Sequence, residues 1–335
     1  MPEASDITDI RHAVRQLCAK FGESYWLELD RDRGYPTEFV QALTDSGFLT
    51  VLIPEVYGGS GLGVFEAAII MEEVCRSGAH AGACHAQMYV MGSVLRHGSD
   101  AQKQHYLPKI AAGELRLQSF GVTEPTTGTD TTSLKTTARL DGDHYVVNGQ
   151  KVWISRIEHS DLMVLLARTT PKEETNKKTE GLSAFIVDVG KAVGNGLEIR
   201  PIDSMINHHS RELFFDDLKI PRENLLGVEG QGFKVILDGM NAERILIAAE
   251  CVGDRRYFID KASRYANDRV VFDRPIGQNQ GVQFPIARCY TEVEAAWLMV
   301  EKAAHLFDAG APCGAEANMA KMLASEASWH AGDVC

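Results

Sequence analysis

The chain has 335 residues, 44% hydrophobic and 24% charged, with a formal net charge of −12. That length allows two or three domains with substantial cores, in ordinary globular proportions. The acidic balance argues against a general binder of nucleic acid or acidic membrane, and no apolar run of about 18 residues offers a membrane span. Seven cysteines (Cys18, Cys75, Cys84, Cys251, Cys289, Cys313, Cys335) show no CxxC pair or regular spacing. They read as reduced intracellular thiols. The start, MPEASDITDIRHAVRQ, is acidic and polar, unlike a secretory or Arg-rich transit segment.

Residues 6–115 repeat apolar side chains at helical steps in ITDIRHAVRQLCAKF, EFVQALTDSGF and FEAAIIMEEVCRS. Breakers fall at Pro36, Pro54 and the YGGSGLG run around Gly58–Gly63, which lacks GK[ST] and reads as a connector. Residues 120–220 change to β character. ARLDGDHYVVNGQKVWI contains Asp-Gly and Asn-Gly, both hairpin signals, and DLMVLLART, LSAFIVDV, LEIRPI and RELFFDDLKIP follow as strands. His208 and His209 with Glu212 could supply metal ligands, but read as surface loop, so no metal is expected. From Gly232 the helical period returns, with one or two long helices over FKVILDGMNAERILIAAECVGDRRYFIDKASRYANDR and further bundle helices after it. The expected layout is α+β: a helical domain over 1–118, a β barrel or sandwich over 119–229, and a helical bundle over 230–335. No GxGxxG follows a strand, which disfavours a Rossmann nicotinamide site.

Two segments carry the most chemical information: FGVTEPTTGTD (120–130) and VVNGQKVWIS (146–155). Thr123, Thr127, Thr129 and Ser155 supply small hydroxyls, Gly121 and Gly128 suit close backbone approach to a ligand, and Trp153 adds a planar face. That set suits a flat heterocycle with polar and apolar edges. The pair of motifs resembles the flavin-binding segment of the acyl-CoA dehydrogenases, usually TEP-x-AG-SD and W-I-TNG. Thr127 stands for the usual Ala, and Ser155-Arg156 for Thr-Asn. PEVYGG (54–59), YLPKIAAGE (106–114), ERILIAA (243–249) and R-x-x-F followed by QNQGVQF (269–284) extend the resemblance over essentially the whole chain.

The resemblance implies FAD as cofactor and an acyl-CoA thioester as substrate, oxidised to a 2-enoyl-CoA, with flavin N5 accepting the β hydrogen as hydride. It places Phe120, Val122, Thr123, Thr129 and Ser155 against FAD or the CoA arm, with Trp153 on the ring and Thr129 nearer the CoA. Arg269, Phe272 and Gln280 match the pattern that reaches the FAD of a neighbouring subunit, implying a homodimer or homotetramer. Electron-transfer flavoprotein is the implied redox partner. The implied compartment is cytoplasmic in a bacterium and the mitochondrial matrix in a eukaryote.

Most of the family carries its catalytic Glu near the C-terminus, beyond Cys335. The isovaleryl-CoA and long-chain enzymes carry it on a bundle helix in an LERL-like motif. Here MNAERILIAAE puts Glu243 at that position, Arg244 beside it toward the CoA mouth, and Glu250 seven residues on as second carboxylate. Ile245, Leu246 and Ile247 would desolvate Glu243 and raise its pKa toward the range of a general base. About fifty family residues lie beyond the last residue here, so the bundle is expected to be incomplete. The alternatives are an acyl-CoA oxidase or flavin monooxygenase-like enzyme, or a catalytically impaired fragment acting only through oligomerisation.

Overall fold

The computed structural model describes residues 4–207 and 209–335; His208, one of the weighed metal ligands, lies outside them. The first third is helical: α1 (Ala4–Cys18), α2 (Glu23–Asp32), α3 (Thr37–Asp45), α4 (Val64–Arg76), α5 (Ala86–His97) and α6 (Asp100–Ala111). Pro36 stands immediately before α3, and the Pro54–Gly63 connector separates α3 from α4. Gly59 is obligatory in that connector, because a Cβ there would lie 2.1 Å from the Ile53 carbonyl oxygen. α4 is buried from Val64 to Cys75, as a helix that is apolar on most sides must be. Its two fully buried acids are paired: Glu72 with Arg11 and Arg256, Glu73 with Arg11 and Arg15. Without such partners their burial would be prohibitive.

The middle section is a sheet of β1 (Leu117–Gly121), β2 (Thr137–Asp141), β3 (His144–Ser155), β4 (Leu162–Arg168), β5 (Leu182–Asp188), β6 (Leu197–Pro201), β7 (Ser210–Pro221) and β8 (Leu225–Leu226). The short helix α7 (Val189–Ala192) follows β5. Strand order is β6-β7-β3-β2-β4-β5-β8, with β1 added in parallel to β4. The Asp-Gly hairpin forms as expected: Asp141 pairs with His144 across a Gly142-Asp143 loop, with Gly142 at φ +64. The Asn-Gly signal does not make a turn. Asn148-Gly149 lies inside β3 at a register irregularity, where a Cβ on Gly149 would come 2.5 Å from Thr136 Oγ1. Asn148 continues the pairing with its side chain, donating to Asp217 Oδ1 at 2.9 Å and accepting from Asp217 N at 2.9 Å. An amide that can imitate the backbone turns a hairpin signal into a bulge.

The last third is α8 (Gly232–Asp268), a hairpin of β9 (Val270–Val271) and β10 (Arg274–Pro275), α9 (Gln280–Asp308) and α10 (Gly314–Val334). α8 is one helix of 37 residues, packed on α4, α5, α9 and α10, with its first turn on β5. Two glycines permit this. A Cβ on Gly232 would meet Ala184 N at 2.5 Å, and one on Gly253 would meet the Glu72 carbonyl oxygen at 2.2 Å. α10 contributes a stripe of buried alanines, Ala317, Ala320, Ala324, Ala327 and Ala331. The end of α9 returns to the start of α4, where Asp308 accepts from Val64 N (2.7 Å) and Phe65 N (3.0 Å). A carboxylate there also opposes the helix dipole. Among the described residues no helix is long and apolar enough to cross a membrane.

Gly253→Ala is expected to push α8 off α4. Loss of about 3 kcal/mol, the upper end of ordinary overpacking, should appear as a lower urea midpoint at unchanged slope.

Candidate active site

β1 delivers the chain to the FGVTEPTTGTD segment and ends at Gly121. Gly121 itself is a packing residue: a Cβ there would meet Met163 Sδ at 3.0 Å and Leu165 Cδ1 at 3.1 Å. Gly128 is different, with open space where a Cβ would stand. Between them Glu124 turns inward. Its carboxylate accepts from Lys135 N (2.6 Å), Thr136 N (2.9 Å) and Lys151 Nζ (2.9 Å), and Lys151 also donates to the Val122 carbonyl at 3.0 Å. Lys151 is fully buried, and burial pushes its pKa down to about 8 against the opposing charge of Glu124. Burial alone would raise Glu124, but the Lys151 charge and the hydrogen bonds from Thr136 and Lys135 hold it below the ordinary carboxylate range. Thr127, at the family's Ala position, exchanges backbone hydrogen bonds with Glu124 at 3.1 and 3.0 Å and buries its side chain. The loop is thereby closed on its inner side. Thr129 stands exposed on the outer side and Thr123 half-buried, and neither hydroxyl has a protein hydrogen-bond partner among the described residues.

β3 adds the second half of this wall. A register irregularity between Lys151 and Ile154 puts Trp153 at φ +62 and leaves it 61% exposed. Ser155 follows, paired in register with Ser210, and its carbonyl accepts from Ser119 Oγ at 3.3 Å. Phe120 and Val122 are half-buried beside them. Arg156 replaces the family's Asn at a left-handed position, φ +61, where Asn is the less strained choice. Its side chain, 2% exposed, donates Nε to the Gly82 carbonyl (3.0 Å), approaches His80 Nε2 (3.0 Å) and lies 5.9 Å over the Tyr35 ring. Tyr35 also stacks on His159 at 3.7 Å. Burial, together with the charges of His209 and Arg156, pushes His159 down to about 4, which keeps the stack neutral. Of the residues weighed for metal, Glu212 accepts instead from Gln150 (2.7 Å) and His209 packs edge-on to Tyr35.

α5 packs against both β1 and α8, which brings the third component close. Glu243 sits on α8 between the fully buried Ala242 and Ile245. Desolvation raises its pKa above the ordinary carboxylate value, against the lowering charges of His85, Arg244 and Lys321. Arg244 is half-buried and donates to Asn241 Oδ1 at 3.2 Å. Glu250, the second carboxylate, is already engaged: His85 Nδ1 lies 2.8 and 3.0 Å from its two oxygens. Arg269, Phe272 and Gln280 are far along the chain at the other end of α8, all exposed, with Phe272 at the tip of the β9–β10 hairpin.

Sequence reading missed the Glu124–Lys151 pair, the bridging role of Arg156, and His85 with Tyr89. Only Lys151 had a visible signal, a lone charge directly before the apolar run Val152–Trp153–Ile154.

This is a helix–sheet–helix protein with hydroxyls, open backbone and an exposed indole on one sheet segment and a desolvated carboxylate on α8, features that suit a flavin-dependent oxidoreductase. Family models agree: the acyl-CoA dehydrogenase N-terminal domain matches residues 5–114, the middle domain 119–218 and the C-terminal domain 230–335. Acyl-CoA dehydrogenase FadE12 of Mycobacterium tuberculosis is 35% identical over 99% of this chain and 85% of its own length. The acryloyl-CoA reductase (NADH) of Anaerotignum propionicum is 36% identical over 89% of this chain and 75% of its own length. A glutaryl-CoA dehydrogenase structure superposes with TM-score 0.91 at 31% identity, covering 100% of this chain and 85% of that one. The chain belongs to the acyl-CoA dehydrogenase family: it is an oxidoreductase, and FAD-dependent acyl-CoA dehydrogenation is its general activity. The donor set fits that cofactor. The Thr123 hydroxyl, unpartnered among the described residues, the open edge at Gly128 and the exposed face of Trp153 suit an isoalloxazine.

Replacing Lys151 by Met, or Glu124 by Gln, is expected to cost about 3–5 kcal/mol, because each leaves a buried charge unpaired. The depressed Glu124 contributes stability that is complete above its unfolded pKa of about 4.3 and is lost as pH falls through the lower folded value. The urea-measured gap between wild type and Glu124→Gln should therefore narrow from about pH 7 to about pH 3.

Proposed function

We propose that Glu243 is the base that removes the α proton of an acyl-CoA thioester, yielding the 2-enoyl-CoA. The observation that carries this reading is its raised pKa inside the helical core, beside the helix α5 that also packs on β1. A carboxyl raised toward neutrality by desolvation is a better proton acceptor at physiological pH than an exposed one. Glu250, by contrast, is held by His85 and is less available. FAD, when bound, would supply the acceptor for the β hydrogen, taken as hydride. The chain's own part is to orient it: Thr123 and Ser155 hydrogen-bond the isoalloxazine, Phe120 and Val122 present main chain, and Trp153 covers the ring. Thr129 and Arg244 meet the CoA arm, supplying local positive charge and a hydroxyl in a protein of net charge −12.

Arg269, Phe272 and Gln280 complete the FAD site of a second copy, so the working unit is a homodimer or homotetramer. Their full exposure at one end of α8 supports this. Arg supplies a fork of donors for a pyrophosphate, and Phe a stacking face for adenine. Reducing equivalents leave to electron-transfer flavoprotein, in bacterial cytoplasm or the mitochondrial matrix. A chain in the structure of the electron transferring flavoprotein of Acidaminococcus fermentans superposes with TM-score 0.92 at 31% identity. Domain boundaries fall near 118/119 and 229/230 on this reading.

Three outcomes test it. Anaerobic addition of straight and branched acyl-CoAs to the FAD-loaded protein should bleach the flavin, and Glu243→Gln should slow this by about 10²–10⁴-fold while retaining FAD. The ascending limb of the wild-type pH–rate profile should lie above the ordinary Glu value of about 4.3. Loss of one charged hydrogen bond in Arg269→Ala should weaken FAD retention by roughly tenfold or more on gel filtration, with Phe272→Ala acting in the same direction.

A further inference from the structure

Beyond Glu243 the face of α8 carries apolar Leu246 and Ile247 and then turns acidic again. Glu250 and Asp254 follow at seven and eleven residues, on the same side of the helix. Glu250 lies about 10 Å further along the axis. The direction of that step is fixed by the packing: Gly232 begins α8 against β5, and Gly253 lies against α4. Moving from Glu243 to Glu250 therefore leads away from the sheet that carries the flavin segment and into the helical core. If Glu243 marks the α carbon and Arg244 the thioester side, a tail continuing along this step would reach His85 and Glu250.

The surroundings at that end are not the plain hydrocarbon a simple alkyl tail would favour. His85 is held through Nδ1 by Glu250, with side-chain exposures of 19% and 11% respectively, so the pair is reachable but not open. His85 Nε2 has no hydrogen-bond partner in the protein among the described residues, nor has the hydroxyl of Tyr89, whose ring centroid lies 5.6 Å from the imidazole. Two polar groups there are thus left without a partner among the described residues. The charges acting on them are Glu243 and Glu250 and, more distantly, Arg156, with Arg244 and Lys321 acting in turn on Glu243. Glu250 already answers the charge of His85, so an anionic tail gains little at this site. An uncharged oxygen, able to accept from the imidazole and exchange a hydrogen bond with the phenol, suits it.

We propose that His85, held by Glu250 and flanked by Tyr89, is a polar anchor at the inner end of the acyl cleft, selecting acyl-CoA esters with a hydroxyl or keto oxygen on the acyl chain. The proposal rests on reading Glu243 as marking the α carbon. A site built to hydrogen-bond a substrate oxygen discriminates strongly against the analogue lacking it, because its own buried groups are then left unpaired.

The test measures affinity on the FAD-loaded Glu243→Gln protein by calorimetry. The probes are butyryl-, hexanoyl- and octanoyl-CoA, their ω-hydroxy counterparts, and glutaryl-CoA as an anionic tail. At one chain length the ω-hydroxy ester should bind at least about tenfold tighter than the plain ester, and glutaryl-CoA should bind more weakly than either. Adding His85→Leu should erase or invert the preference while plain esters bind as before. Glu250→Gln, which keeps the shape and a hydrogen bond to His85, should reduce it. Equal or tighter binding of the plain esters at every length overturns the proposal, as does a His85→Leu loss equal for both classes. If Glu243→Gln still reduces the flavin at the wild-type rate, the base assignment falls, while a measured ω-hydroxy preference stands.

Discussion

The structure depends on burying carboxylates along one face of a single helix. α8 carries Glu243, Glu250 and Asp254 into the helical core, where water is largely excluded and a lone carboxylate is costly. Each is handled differently. Glu250 gains the imidazole of His85, and Asp254 is pushed up to about 7 by burial and by the charge of Glu250, so it shares that space partly protonated. Glu243 has nearby cationic charge but no hydrogen-bonded partner among the described residues, and desolvation keeps it raised. The same environment that makes these acids expensive makes one of them a useful proton acceptor. The His85–Glu250 contact also ties α5 to α8, and α5 packs on β1, so one helix links Glu243 to the strand that leads into the 120–130 segment.

The sheet solves a related problem with opposite means. Lys151 and Glu124 are both buried, and the pair spans from β3 to the loop after β1. A buried ion pair contributes little net stability against an apolar substitute, but breaking one side is costly, so it fixes a register rather than strengthening the fold. Here the register matters, because the same loop carries Thr123 and Thr129 and the same strand carries Trp153 and Ser155. Arg156 then binds this strand to the Gly82 carbonyl and Tyr35 of the helical domain. An Asn at that left-handed position would relieve backbone strain but could not reach across. The substitution exchanges local comfort for an interdomain tether.

The order helices, sheet, helices was legible because period-2 and period-3.6 patterns occupy long separate blocks, and most strands and helices follow them. The Asn-Gly signal misled because a cross-strand partner, Asp217, was invisible to local reading. β1 and β8 were also missed, the first being a five-residue strand directly before the flavin loop, the second only two residues long. At the site, motif residues were legible in sequence while their supports were not. Gly121 was read as a ligand contact, yet its neighbours Met163 and Leu165 come from a strand some forty residues later. His85 and Glu250 are 165 residues apart, and nothing local to either announces the pair.

The β9–β10 hairpin carries the remaining step. Its two central residues, Phe272 (φ +52) and Asp273 (φ +60), both occupy the left-handed region that such a tight turn demands. Asn-Gly would adopt this conformation with little strain, whereas a bulky aromatic there costs of order 1–3 kcal/mol. Phe272 is also 92% exposed, so the cost is not recovered by packing within the chain. A turn that keeps a strained, solvent-facing ring is better explained by the ring than by the turn. An aromatic face projected away from the protomer, with Arg269 at the base of the same hairpin, is suited to covering a planar group held by another copy. Strain inside one chain then becomes an argument for a site shared between two.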